Sequence, residues 1–287
     1  MLGIRGRFGA AGLENDCVED FERAYARLAD DDRFSGIVIQ IEQTIRDYFA
    51  SMQLPDEVTL YDRLVLSLRE ADGIVSFNWD PFLFDAWARN RGIASLPSIW
   101  FLHGSVRLAS CGRGHSPGPI GSVCTACSEM RTPVPLLYPI AQKDYATNPY
   151  IAGSWTEARR ALSDALTLTV FGYGAPVSDV EAVNALRDSW FARSDRQAEH
   201  VEIIDRPGMD TDVLFEKWRK FVPTLHLQHN EDFGSSWISL WPRRTNQALR
   251  RAITEGTISE QFPLTDITSL AELQARIREI AAYESPQ

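Results

Sequence analysis

Long hydrophobic runs are missing from this 287-residue chain, and with them any segment able to span a bilayer. Positive charge is scarce too. The 29 Lys and Arg stand against 39 Asp and Glu, and a net charge of -10 argues against nucleic acid or an anionic membrane as the main partner. There is no internal repeat and no low-complexity tract. Cysteine is limited to four, Met1-Leu2-Gly3 does not open a signal peptide, and Cys17 is left over once the others are grouped. That pattern argues against an oxidising compartment, and the expected setting is cytoplasmic. The chain does have 44% hydrophobic and 10% aromatic residues, enough for a substantial core in one large domain or two small ones.

Three of the four cysteines fall in one window. Ile99-Trp100-Phe101-Leu102 reads as a buried strand ending at His103-Gly104-Ser105, and Cys111, His115, Cys124 and Cys127 follow. A Cys-x3-His, eight intervening residues and a Cys-x2-Cys would set three sulfurs and one imidazole around a single ion. That donor set suits a tetrahedral, structural zinc with every ligand supplied by protein. The spacers, Gly112-Arg113-Gly114 and Ser116-Pro117-Gly118-Pro119, are turn chemistry with little to bury, so the loop needs a cross-link to hold a shape. Disulfides or unpaired thiols are the alternatives. Cys17 reads as a small buried hydrophobe or an inert thiol.

Residues 1–15 are irregular, with Gly3, Gly6, Gly9 and Gly12 separated by Arg5, Arg7 and Phe8. Helical periodicity follows: Val18, Phe21, Tyr25 and Leu28; then Ile37, Val38, Ile41, Ile45, Tyr48 and Phe49 after a capping Ser35; then Val58, Tyr61, Leu64, Val65 and Leu68 after Pro55. At Asp72-Gly73 the period changes. Ile74-Val75-Ser76-Phe77 is a short strand delivering Asn78-Trp79-Asp80, and Pro81 opens a helix. Polar side chains at a strand-to-helix turn are placed as ligand contacts are in open α/β sheets, although Asn78 or Asp80 could equally be capping the helix. A helix from about Ser154 to Leu166 leads into Leu166-Thr167-Leu168-Thr169-Val170-Phe171, the clearest strand. Gly172-Tyr173-Gly174 and a capping-box pattern at Ser178-Asp179-Val180-Glu181 come next, a plausible anion cradle, although tight turns need glycine anyway. Val201-Glu202-Ile203-Ile204-Asp205 is a strand tipped by a carboxylate, a familiar way to hold ribose hydroxyls and also a common loop residue. A helix over Asp210–Phe221, a strand Leu225-His226-Leu227-Gln228, a helix from Trp237 to Thr254 interrupted at Pro242, and a last helix capped at Ser269-Leu270-Ala271-Glu272 complete the chain.

The order of these features resembles the sirtuin family, and most closely the bacterial sirtuin-like proteins, several of which degrade NAD in phage defence. The likeness rests on Ser76-Phe77-Asn78-Trp79-Asp80, His103-Gly104, the cysteine set, Gly172-Tyr173-Gly174 and Ile204-Asp205, and covers roughly residues 72–205. It implies an α/β fold: a Rossmann-like, mostly parallel sheet with helices on both faces and a small inserted zinc-binding module. The domain would span 1–287, with a helical N-terminal part over about 16–70 and the zinc module over about 104–133. Asn78 would then lie by the nicotinamide ribose, Asp80 at the nicotinamide carboxamide, and His103 would be the general base. Gly172 and Tyr173 would line the adenine-side turn, and Asp205 would meet the adenosine ribose. Zinc would be structural and NAD the substrate or ligand. Two departures qualify the likeness. Gly9-Ala10-Ala11-Gly12 lacks the preceding apolar run and the serine of the family's phosphate loop, and His115 replaces a family cysteine. Three functions follow as expectations: an NAD-consuming hydrolase releasing nicotinamide; a degenerate module that senses a nucleotide or docks on a partner protein; and an NAD-dependent protein deacylase.

Overall fold

The computed structural model describes residues 21–115, 117–138, 145–174, 179–192, 200–219 and 227–284. The glycine-bearing start, Cys17, Val18, Lys143, Asp144, Ser178, Phe221, Leu225 and His226 lie outside the described residues.

Three helices come first: α1 (Phe21–Ala29), α2 (Ser35–Ala50) and α3 (Leu60–Ser67). The third starts five residues later than Pro55 suggests. Thr59 caps it, its hydroxyl accepting from the Asp62 amide while the Asp62 carboxylate accepts from the Thr59 amide at 2.8 Å. This reciprocal pair uses two donors that the helix leaves unmet, so it sets the boundary. Asp62 is fully buried, and burial pushes its carboxyl up. Hydrogen bonds from Arg89, Thr59 and Asn90 outweigh that and hold it below the usual carboxylate range.

The strands follow in parallel pairs. β1 (Gly73–Ser76) leads through α4 (Phe82–Arg89) to β2 (Ser98–Phe101), with Gly73 opposite Ser98 and Ser76 opposite Phe101. A two-residue antiparallel ribbon, β3 (Ala109–Ser110) with β4 (Thr132–Pro133), closes the base of the inserted loop. Helix α5 (Pro149–Asp164) begins five residues earlier than Ser154, because Asn148 Oδ1 accepts from the Tyr150 and Ile151 amides and Pro149 fits the first turn. It returns to β5 (Thr167–Phe171), which is followed by α6 (Val180–Trp190), β6 (His200–Ile204), α7 (Thr211–Arg219) and β7 (Leu227–Asn230). These three strands form a parallel sheet in the order β5-β6-β7. The expected single sheet is therefore two parallel sheets among the described residues, since no backbone ladder joins β1 to β5. Past β7, α8 (Trp237–Leu240) and α9 (Thr245–Glu255) are split around Pro242 as expected, and α10 (Leu270–Ala281) is last. Ser269 precedes α10 without a side-chain cap bond, so that capping box does not form.

Helices cover both faces of the larger sheet. Ile203 packs with α5, α6 and α7 residues such as Leu162, Leu186 and Leu214, whereas Ile204, its neighbour in β6, packs with Phe233 and Ile238. Consecutive strand residues point to opposite faces, so β6 is buried on both sides. Helices α1 and α2 pack through Tyr25, Leu28, Ile41 and Ile45 on Val106, Leu136, Tyr138 and Trp79, beyond the ends of β1 and β2. Arg243 is buried beneath α3. Its guanidinium donates to the Leu68 and Ser95 carbonyls at 2.7 and 3.0 Å and forks onto Glu284 at 2.5 and 2.8 Å. No helix among the described residues is long and apolar enough to cross a membrane.

Candidate functional site

The C-terminal ends of the parallel strands gather the candidate residues. After β1 the chain runs Phe77-Asn78-Trp79-Asp80; after β2 it reaches Leu102-His103-Gly104. The two turns are tied together, with the Val106 amide donating to the Trp79 carbonyl at 3.0 Å and the Ser105 hydroxyl reaching the Asp80 carbonyl at 3.5 Å. Gly104 has φ +80, and a Cβ there would fall 2.1 Å from the Pro135 carbonyl oxygen. Only glycine lets the 135–137 segment approach this closely, and the Leu137 amide then bonds the His103 carbonyl at 3.0 Å. That bond fixes His103 at the strand tip.

His103 is 5% exposed, its Nε2 lies 3.8 Å from Asp179 Oδ1, and its ring meets Phe77 edge-on with centroids 4.8 Å apart. Tyr173 donates its hydroxyl to the other Asp179 oxygen at 3.1 Å and stacks on Phe77 at 4.5 Å. Tyr145 lies parallel to the imidazole at 6.2 Å and edge-on to Trp155 at 4.7 Å. Burial, and then the Asp179 charge, pushes the Tyr173 and Tyr145 hydroxyls well above the ordinary tyrosine value, so both stay protonated donors. Asp179 is itself buried at the start of α6. The capping-box pattern of residues 178–181 pairs Ser178 with Glu181 and gives Asp179 no role; its side chain makes no cap bond and turns toward His103 and Tyr173. Its separation from His103 along the chain gave no local signal. Tyr145 could have been found only as an aromatic lying between two strands.

Asn78 is exposed, and its amide donates to Ser76 Oγ at 3.2 Å. Asp80 Oδ1 accepts from the Phe82 amide at 3.0 Å, the capping role weighed above, while burial raises its carboxyl above the usual value. Gly172 has φ +60, and its amide is spent on the Ile204 carbonyl at 3.0 Å, which removes one donor from the expected anion cradle. The same bond sets Gly172 and Tyr173 beside Asp205, whose Oδ1 accepts from the Arg206 amide at 2.8 Å. The structure thus brings His103 and Tyr173 together around Phe77 and Asp179, with Gly172 and Asp205 at adjoining tips. Asn78 and Asp80 flank the group on the β1 turn.

The inserted loop gathers the second set. Cys111, His115, Cys124 and Cys127 have their ligand atoms within 4.8 Å of one another. His115 Nδ1 lies 3.3 Å from the Cys111 sulfur and 3.6 Å from that of Cys124. Tetrahedral zinc with its usual bond lengths would set sulfur and nitrogen about 3.6 Å apart, so the donors fit such an ion. The Ala126 amide draws the Cys124 thiol down to about 7, with help from the Cys127 amide. A thiolate in that position would be a ready ligand. With four protein donors no position is left for substrate, and an ion here would only brace the loop.

The class of protein the fold defines is a parallel α/β protein, with two parallel sheets among the described residues and an inserted Cys3His cluster that could hold a metal ion. No family model matches the sequence, and no curated protein matches it. Among solved structures, a Sir2 in complex with the inhibitor EX-527, 2'-O-acetyl-ADP-ribose and a deacetylated p53 peptide matches at 16% identity and a TM-score of 0.36. The match covers 79% of this chain and 84% of that one.

Proposed function

We propose that this protein is a sirtuin-like NAD-consuming hydrolase that releases nicotinamide, in the setting of bacterial defence that the motif order suggests. The observation that carries the reading is the buried His103–Asp179–Tyr173 group at the tips of parallel strands, where open α/β folds bind their ligands. In the reaction the bond between the ribose C1' and the nicotinamide nitrogen breaks, and its electron pair neutralises the pyridinium. Water forms the new bond to C1' and its proton passes to His103. Asp179 holds the imidazole in place and stabilises it once charged. The Asn78 amide positions water or the ribose hydroxyls, Asp80 receives the carboxamide, and Gly172, Tyr173 and Asp205 take the adenosine half. Zinc held by Cys111, His115, Cys124 and Cys127 is structural.

The test is to incubate the pure protein with NAD and follow nicotinamide by chromatography, with His103→Ala as control. Release that the substitution abolishes supports the hydrolase; release that persists, or no release at all, rejects it. One observation favours a second reading, a degenerate nucleotide sensor or partner-docking module: the Gly172 amide already bonds Ile204 and cannot also cradle a phosphate. Heat stabilisation by NAD or ADP-ribose without turnover would select it. Consumption of an acyl-lysine peptide only when NAD is present would select the deacylase instead.

A further inference from the structure

A groove of ≈ 630 Å³ runs beside α9. One wall is a single face of the helix: Arg244, Gln247, Arg251 and Thr254 line it, at steps of three and four residues. The other wall is the returning chain at Ser259 and Phe262. That chain is strapped down at both points, with Trp241 Nε1 donating to the Ser259 carbonyl and the Phe262 amide to the Leu240 carbonyl, each at 3.0 Å. Elsewhere arginines find carboxylates: Arg33, Arg89, Arg107, Arg160 and Arg243 are all paired, in a chain where Asp and Glu outnumber Lys and Arg. The three arginines lining the groove are not. Among the described residues, Arg244, Arg250 and Arg251 make no ion pair and no side-chain hydrogen bond. Against them stand Glu255, at the far end of α9, and Glu260. The rim is apolar as well. Ile253 and Ile258, next in sequence to Thr254 and Ser259, are 51% and 74% exposed, and Phe262 is 37% exposed. Apolar side chains grouped in the open around a charged groove mark a contact with a macromolecule, whereas small ligands are mostly enclosed.

We propose that this groove docks an extended segment of a partner protein in which acidic and apolar residues alternate. The cross-section selects an extended chain. From Arg244 to Glu255 the helix rises about 16 Å, so a volume of ≈ 630 Å³ leaves a section of about 40 Å². A strand, about 4.8 Å wide in a layer about 10 Å thick, needs roughly 50 Å². A helix about 10 Å across needs about 80 Å² and does not fit. Length follows from the same figures: at about 3.3 Å per residue the groove takes about five residues. The two walls then set the pattern. Successive side chains of an extended chain face opposite ways, so acids at the first, third and fifth positions meet α9 while apolar residues at the second and fourth meet Phe262. Those acids span about 13 Å, against a rise of about 10.5 Å from Arg244 to Arg251, and the long arginine stems take up the difference. None of the groove residues belongs to the His103 group, so the assignment does not rest on the nucleotide reading.

The test uses the full chain and a fluorescein-labelled, amidated peptide, Gly-Glu-Ile-Glu-Val-Glu-Gly. Its control carries glutamine in place of each glutamate, which keeps the shape and removes the charge. Expected are saturable binding by anisotropy, at least tenfold weaker binding of the glutamine peptide, and slowed amide exchange over residues 256–262 but not in α10. An exposed ion pair is worth up to about fivefold, so Arg244→Gln and Arg251→Gln together should weaken binding at least tenfold. Arg276→Gln, on α10, should leave it unchanged. Should the double variant not fold, the glutamine peptide makes the same distinction. No saturable binding, equal binding of the two peptides, or undiminished binding by a folded double variant overturns the proposal. Three results would name another occupant and overturn it as well. Displacement of the peptide by ADP, where sodium chloride of equal ionic strength has no effect, would assign the groove to a nucleoside phosphate. A dimer that the peptide splits would assign it to a second copy. Binding that appears only on deleting residues 1–20 would assign it to the chain's own start.

Discussion

Glu202 in β6 gives the sharpest quantitative test of the fold. Its side chain is fully buried in mid-strand, accepting from Asn230 Nδ2 at 2.5 Å, the Trp237 amide at 2.9 Å and Thr169 Oγ1 at 3.3 Å. These neutral donors tie β5, β7 and α8 to the central strand. Burial pushes the carboxyl from its usual 4.5 up to about 7, against the opposing pull of Trp237, Thr169 and Asn230. The sign is then fixed. Between pH 4.5 and 7 the folded chain holds a proton that the unfolded chain has released, so this group lowers stability as the pH rises through that window. The loss is complete above about pH 7 and amounts to about 3 kcal/mol. In Glu202→Gln the oxygen still accepts from Trp237 and Asn230, and the amide can donate to Thr169, without any charge to bury. Urea unfolding at pH 5 and pH 8 should show near-equal stabilities at the lower pH and a variant more stable by about 2–3 kcal/mol at the higher one. A variant that loses as much stability with pH as the parent, or is weaker at pH 8, would refute the reasoning.

Other consequences are as direct. Arg243→Ala leaves Glu284 with Arg69, whose Nε lies 3.7 Å away, but strips the Leu68 and Ser95 carbonyls of their donor, so a loss of about 2–3 kcal/mol is expected by denaturant melting. Gly104→Ala meets the Pro135 carbonyl at a position with φ +80, and should cost over about 3 kcal/mol and lower nicotinamide release with it. Asp179→Asn should reduce nicotinamide release by about 100-fold with little change in KM, while Tyr173→Phe costs under about tenfold, since it removes only the hydroxyl that bonds Asp179 and keeps the ring. Cys124→Ser should reduce the zinc content, read by elemental analysis, from about one per chain toward zero, and open residues 111–127 to proteolysis.

What the sequence made legible was local. Periodicity found the helices through Tyr25 and Leu28, Ile41 and Ile45, and Ala158 and Leu162, because an apolar stripe is written in consecutive turns. Spacing found the Cys3His cluster, because a loop short of apolar residues brings its ligands close along the chain. Position at a strand end marked His103 and Tyr173. What was not legible depended on distant pairing. Asp179 had no role of its own in the 178–181 capping pattern until the fold brought it to His103, and Glu202 was only an inner residue of a strand until α8 covered it. That β1 and β5 share no ladder among the described residues is a property of two sheets that no stretch of either one encodes.

The grip of Arg243 on Glu284 also bears on how the chain is made. The guanidinium sits under the end of α3, but its carboxylate counterpart lies far later in the chain, beyond α10. Until Glu284 has been made, that cation can be buried only without this partner, so the nascent chain has reason to keep this corner open. Closure over the end of α3 is thereby timed to the arrival of Glu284.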